Sequence, residues 1–260
     1  MPPLLDLARN AATQAGEVIL SHYGSTAFEL KGDNSPVTQA DQDANDILIR
    51  TLTQSGIAIL SEENEGITLP YPDRLWIIDP LDGTKGFINH TDDFSVMIAL
   101  VEQGRPTIAV VFAPVMGKLY YATLGGGAFV VDTEGERQLH VSDRRGSDLR
   151  ALFSVNHLSP YMLAVAETLG STEHHAIGSV GIKAGYIAEN KADFYLTRGP
   201  LGEWDVAAPE LILREAGGTV TDEHGDLLCY GNADHRIKHG IVLSNSMAHE
   251  NILAALKNEA

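Results

Sequence analysis

Cysteine is almost missing from this chain of 260 residues. A single Cys229 can form no intramolecular disulfide and no cysteine-based zinc site. With no motif around it, Cys229 is expected to be a small buried hydrophobe rather than a nucleophile. Basic residues are also scarce: 18 Lys and Arg stand against 35 Asp and Glu, for a formal charge of −17. A binder of nucleic-acid backbone needs a basic face, so that class is excluded. No apolar run approaches the length of a bilayer span, and the N-terminus lacks a basic region followed by a hydrophobic core, so an integral membrane segment is not expected and the cytoplasm is the expected location. What remains is an ordinary globular composition, 44% apolar and 20% charged, sufficient for one large domain or two small ones. For an enzyme acting on an anion, this acidity is a handicap unless bound cations offset it locally; otherwise the acids are solvated surface.

The most informative stretch runs from Trp76 to Lys85. Leu75 to Ile78 has strand character, and Pro80, with fixed φ and no N–H, is expected to end the strand. Asp79 and Asp82 lie three residues apart, followed by Gly83 and the hydroxyl of Thr84. Oxygen ligands together with backbone donors are what a divalent ion holding a phosphate requires. The same residues also favour a plain surface turn, and on this decapeptide alone the two readings stand level.

Taken in order, the chain starts with an amphipathic helix from Leu4 to Tyr23, closed by Gly24. A short strand, Phe28 to Lys31, leads through Gly32-Asp33-Asn34-Ser35-Pro36 to Thr38. Thr38 is placed to cap a helix reaching about Gln54, with Asp41 three residues in. Asp41 begins the inward stripe of that helix, either for chemistry or to suit the helix dipole. Ile57 to Leu60 forms a second short strand, ended by Ser61-Glu62-Glu63. Two strands therefore end in acids, and if they meet in a sheet the carboxylates at close range require a metal or a proton. From Phe94 to Val131, strands separated by hairpin-length turns predict an antiparallel meander, with Gly125-Gly126-Gly127 as a turn rather than a phosphate loop. After a polar, basic link at Val141 to Arg150, helices and strands alternate through the final helix, Met247 to Asn258, predicting an α/β half. Residues 1–145 are thus expected to form an α+β half and 146–260 an α/β half. His174-His175 has no third ligand nearby and reads as solvated. Gly202-Glu203-Trp204-Asp205 opens an amphipathic helix, with Asp205 in the first turn, where it is either a capping residue or an anion site.

Taken together, Ser61-Glu62-Glu63, Trp76 through Thr84, and Glu203-Trp204-Asp205-Val206-Ala207-Ala208 with Ala216-Gly217-Gly218 resemble the inositol monophosphatase-like superfamily of metal-dependent, lithium-sensitive phosphatases. Within it, Asp33-Asn34-Ser35-Pro36-Val37-Thr38, Lys85 followed by Phe87, and Arg198-Gly199-Pro200 look most like the CysQ-type 3'(2'),5'-bisphosphate nucleotidases. The resemblance implies a layered αβαβα sandwich with metals between the two halves. It implies two or three Mg²⁺ ions on Glu62, Asp79, the carbonyl of Leu81, Asp82 and Asp205, with Glu63 supporting them from behind. Thr84 and Asp41 would orient a water with help from Glu62, and the N–H groups of Gly83 and Thr84 would hold phosphate oxygens. Substrate contacts would extend to Leu81, Asp82, Asp205, Ser154, His157, Ser179, Lys183 and Arg198. Lys183 stands between a phosphate ligand and a surface helix lysine. The activity implied is removal of the 3'-phosphate from adenosine 3',5'-bisphosphate, and of its sulfated form PAPS, in sulfur metabolism. The alternatives are an inositol or sugar-phosphate monophosphatase, favoured by Gly178-Ser179-Val180-Gly181, and a non-catalytic homologue that only binds a metal or anion. The expected partner is a small phosphorylated nucleotide, on a monomer or homodimer. Inhibition by Li⁺ and by Ca²⁺ is also implied.

Overall fold

The computed structural model describes residues 3–24, 27–32, 36–63, 72–155 and 160–258. The first helix, α1 (Pro3–His22), precedes two short paired strands, β1 (Glu29–Leu30) and β2 (Pro36–Val37), and helix α2 (Gln39–Leu52). A sheet follows, built from β3 (Ala58–Ser61), β4 (Arg74–Asp82), β5 (Ser95–Glu102), β6 (Arg105–Ala113), β7 (Lys118–Thr123), β8 (Gly127–Asp132) and β9 (Gly135–Gln138) in that spatial order. One short helix, α3 (Thr84–Asn89), interrupts it after β4. Further on come β10 (Arg150–Ser154), α4 (Pro160–Thr168), β11 (Glu173–Ile177), α5 (Val180–Ala188), β12 (Phe194–Leu196), β13 (Leu201–Gly202) and α6 (Glu203–Glu215). The chain closes with β14 (Thr219–Asp222), β15 (Arg236–Ile237), β16 (Ile241–Ser244) and α7 (His249–Asn258). A second, mixed sheet has the order β11-β10-β12-β16-β14.

Alternation along the strands sets the layers. In β5, Val96, Ile98 and Leu100 face the core formed with α1 and α2, whereas Met97, Ala99 and Val101 face the core shared with α5 and α6. Both faces of a strand with period-2 side chains are therefore covered. The second sheet packs behind α5 and α6, and α4 and α7 close the far side. The stack is an αβαβα sandwich. The close approach of α5 to the first sheet depends on Gly181, where a Cβ would fall 2.8 Å from Met97 Sδ and Ser95 Oγ.

Three expectations change. Pro80 does not end its strand: β4 continues to Asp82. The register shifts between Asp79 and Asp82, and the neighbour β3 has already ended at Ser61 opposite Ile78, so the missing N–H meets no ladder position. Secondly, a short helix absent from the sequence reading, α3, follows Gly83 directly; Gly83, at φ 97°, makes the left-handed turn that a side chain would oppose. Thirdly, Cys229 is exposed, because the segment around it alternates, with Leu228 and Tyr230 taking the buried positions.

Candidate active site

The parallel pairing of β3 with β4 puts Ser61 beside Ile78, so the next residues, Glu62 and Asp79, emerge together. Glu62 N donates to Ile78 O at 3.2 Å, fixing that exit. The bulge after Asp79 lets its Oδ1 accept from Leu81 N at 2.9 Å, turning Asp79 and Asp82 toward one centre. From the other side, α6 delivers Asp205, whose Oδ2 accepts from Gly202 N at 2.7 Å. Carboxylate oxygens of Asp79, Asp82 and Asp205 lie within 4.8 Å of one another. Asp79 is 1% exposed and Asp82 8%.

This arrangement is electrostatically unfavourable without a counter-charge. Burial, then the neighbouring carboxylates of Glu62, Asp82 and Asp205, push Asp79 well above the usual carboxylate range. Burial, then Glu62 and Asp82, push Asp205 up to about 8. Burial also raises Asp82, against hydrogen bonds from Ser179 and Gly181 and the charge of Lys183. Converging oxygen-only donors with like charge and little water suit hard divalent cations. The residues fit the metal that the fold implies.

Next to this cluster, Thr84 Oγ1 donates to Asp41 Oδ1 at 3.1 Å and lies 3.2 Å from Leu81 O. Asp41, 1% exposed, sits on the first turn of α2 and is oriented by Thr38, whose backbone N–H donates at 2.8 Å. Burial raises its pKa while the Thr38 and Thr84 donors lower it, and the rise prevails. A buried carboxylate aimed at an exposed-side hydroxyl is an arrangement able to take up a proton.

These groups open onto a cleft of about 280 Å³ lined by Glu62, Asp82, Gly83, Thr84, Lys85, Ser154, Lys183 and Asp205 among others. Of the substrate-side candidates, Ser154 is thus at the cleft. Ser179 is fully buried and committed: its hydroxyl donates to Asp82 Oδ2 at 2.6 Å and accepts from Ile182 N as the cap of α5. Lys183 is no surface lysine. It is fully buried, its ammonium donates to Gly178 O at 2.8 Å and lies 4.5 Å from the centre of the Tyr195 ring. Burial pulls it down to about 8, although Asp82, Asp93 and Asp205 pull the other way. Arg198 is not brought to the cleft. Its guanidinium stacks 4.4 Å over Tyr161 and pairs with Glu223 at 3.5 Å, lining a separate cavity with Leu256 and Lys257. The Gly199 turn at φ 90° separates it from Asp205. His157 and Asn156, like Asp33-Asn34-Ser35, lie outside the described residues.

Sequence reasoning missed two charged contributors. Lys31 reaches Glu62 Oε1 at 3.0 Å and Glu63 Oε1 at 2.6 Å, a cation supplied from the segment before β2. Burial alone would lower its pKa, but the two glutamates outweigh that and raise it. Asp93 ties the loop before β5 to the start of α5: its side chain accepts from Gly178 N, and its carbonyl accepts from Ser179 N at 3.1 Å. Lone residues in loops carry no periodic signal, so only the pairing across the fold reveals them. Tyr195 and Thr197 also line the cleft, at the end of a strand where the alternate residues are core.

Comparison with known proteins is consistent with this geometry. The sequence profile of the Inositol monophosphatase family matches residues 1–260. The chain is 35% identical over 241 residues to the 3'(2'),5'-bisphosphate nucleotidase CysQ of Aggregatibacter actinomycetemcomitans, covering 89% of each. Among solved structures it is similar to CysQ of Bacteroides thetaiotaomicron, a bacterial member of the inositol monophosphatase family, with TM-score 0.78, 34% identity and coverage of 93% and 97%. The extragenic suppressor protein SuhB of Bartonella henselae superposes with TM-score 0.84, 30% identity and coverage of 98% of each chain. A profile match over the whole length, on this fold and around these acids, settles the affiliation: the chain belongs to the inositol monophosphatase family and is a metal-dependent phosphatase.

Proposed function

We propose that the chain removes the 3'-phosphate of adenosine 3',5'-bisphosphate, giving AMP and phosphate, with Mg²⁺ as the metal, and that PAPS is a second substrate. The observation that carries the chemistry is the Thr84–Asp41 hydrogen bond placed directly beside the Asp79, Asp82 and Asp205 cluster. Substrate choice is supported by the CysQ relatives and by Lys85 and Lys183 at the cleft, where cations suit a second phosphate.

Mg²⁺ held by Asp79, Asp82, Asp205, Glu62 and the Leu81 carbonyl would neutralise the acids, lower the pKa of water and polarise the phosphoryl group. The residues around it have separate tasks. Thr84 Oγ1 accepts a proton from the attacking water while passing its own to Asp41 Oδ1, with which it is already hydrogen-bonded. Glu62 assists beside it, held by Lys31, which is itself paired with Glu63. The N–H groups of Gly83 and Thr84 hold phosphate oxygens at the start of α3. Lys183, which also lines the cleft, supplies positive charge, and Ser154 a hydroxyl. Ser179 positions Asp82 rather than the substrate. Among the described residues, no helix is long and apolar enough to cross a membrane. The likeness to the CysQ relatives supports a role in sulfur metabolism, with the cytoplasm as the proposed location.

A second reading, inositol or sugar-phosphate hydrolysis, is favoured by Gly178-Ser179-Val180-Gly181 and by the likeness to SuhB. Phosphate release from adenosine 3',5'-bisphosphate, PAPS and inositol 1-phosphate at equal Mg²⁺ separates them. A higher kcat/KM for adenosine 3',5'-bisphosphate is expected; a much higher value for inositol 1-phosphate would overturn the nucleotide assignment.

A further inference from the structure

The rim of the second sheet carries a group of side chains that the phosphatase chemistry does not use. β14 and β16 pair antiparallel, with Asp222 opposite Ile241. The register continues past the ladder, because Glu223 N donates to Gly240 O at 3.0 Å. One further step sets His224 opposite His239, as cross-strand neighbours. Their rings meet edge to face with centroids 4.5 Å apart. Ligand atoms of Glu223, His224 and His239 all lie within 4.8 Å of one another, with the glutamate partly buried and both histidines exposed.

We propose that Glu223, His224 and His239 form a second metal site, selective for a transition-metal dication of the Zn²⁺ type. Two imidazoles and one carboxylate suit Zn²⁺ and disfavour Mg²⁺, the reverse of the oxygen-only donors in the cleft. Zn–N and Zn–O bonds near 2.0–2.2 Å require ligand atoms roughly 3.3 Å apart in a tetrahedron; the ligand atoms already lie within 4.8 Å of one another, so small rotations of the exposed side chains bring them to that spacing, and water completes the shell.

The backbone beneath is closely packed. A Cβ at Gly240 would fall 1.8 Å from Thr197 O, so the segment entering β16 is pressed against its neighbour, and the two imidazole rings already face each other. Among the described residues Glu223 has one competing cation from a basic side chain, Arg198, whose Nε lies 3.5 Å from Oε2. That pair is long and partly exposed, hence weak. Oε1 has only a 3.4 Å bond from Gly240 N. A bound metal would tie the turn after β14 to the entry of β16, next to Thr197 at the cleft wall.

Zn²⁺ titrated by calorimetry into the full chain, already saturated with Mg²⁺, tests the site. Binding with a stoichiometry of one is expected in wild type and in Asp82→Asn, which alters only the cleft. It should weaken by at least about tenfold in His224→Ala/His239→Ala. Zn²⁺ should also raise the Tm of wild type but not of the double variant, whose metal-free Tm and Mg²⁺-supported phosphate release should match wild type. Equal Zn²⁺ affinity in wild type and the double variant, or loss of all Zn²⁺ binding in Asp82→Asn, would overturn the proposal.

Discussion

The molecule withdraws acids from water at two places, Glu189 and the cluster around Asp79, and treats them in opposite ways. Glu189, at the C-terminus of α5, is met by Lys118 at 2.7 Å on both oxygens, by Lys191 at 2.8 Å and by the Tyr120 hydroxyl at 2.6 Å. Burial alone would raise its pKa, but these partners outweigh it and hold it below the ordinary value. Asp79, more deeply buried, is surrounded by Glu62, Asp82 and Asp205, and is pushed up. One centre is completed by the protein's own cations and needs nothing more. The other is an incomplete charge distribution that an external cation completes. The contrast distinguishes a structural ion-pair network from a site built for a ligand, without reference to either sequence motif.

Swapping the character of one member of each group should separate the two. Asp82→Asn is expected to lower Mg²⁺-dependent phosphate release by at least about 10²–10³-fold, the scale of losing a transition-state electrostatic contact, with Tm changed little. A stopped assay alongside calorimetry reads both; retained turnover would remove Asp82 from the centre. Glu189→Gln should do the converse. It leaves Lys118 half-paired, and a loss of about 2–3 kcal/mol in urea unfolding is expected, below the 3–5 kcal/mol of fully buried pairs because Lys191 keeps water. Its kcat/KM should stay within about twofold.

The cleft's far wall offers a finer comparison. Lys183→Met should lower kcat/KM for adenosine 3',5'-bisphosphate by about tenfold or more, as a charge-assisted phosphate contact is lost. Arg198→Ala, which faces Tyr161 and Glu223, should leave KM within about twofold. Equal losses in both variants would mean that the two arginine and lysine positions act on the same substrate group. The smallest effect is in pH. A carboxylate with a depressed folded pKa contributes stability above its unfolded value, near 4.3, that disappears as pH falls through the folded value. Wild type should therefore lose stability more steeply below about pH 4.3 than Glu189→Gln, by differential scanning calorimetry at stepped pH.

Much of this was legible in the chain. Period-2 runs gave the meander from β5 to β8, and strands ending in Glu62 and Asp79 pointed to acids meeting in one place. Their parallel pairing now supplies the physical reason. Pro80 misled because a bulge absorbs its missing donor, a compensation that no local rule contains. Lys183 could be read equally as surface or ligand, since α5 is buried on nearly every side and gives no amphipathic contrast. Arg198 was drawn toward the cleft by its nearness in sequence to Asp205, yet the turn at Gly199 sends it elsewhere. Lys31 and Asp93 act across long sequence separations, 31 residues to Glu62 and 85 to Gly178. Division of the chain at residue 145 stays a proposal; the two sheets occupy residues 58–138 and 150–244 respectively.

The central claim, that the Asp79, Asp82 and Asp205 cluster is a cation centre on which phosphate release depends, has a direct measurement. Wild type is stripped with chelator, assayed on adenosine 3',5'-bisphosphate, and reassayed as Mg²⁺ is added back. The account predicts no release above background in chelator, recovery that saturates with Mg²⁺, and a parallel rise in Tm as the acids gain their counter-charge. Full release in the presence of chelator, with Tm indifferent to Mg²⁺, would contradict it.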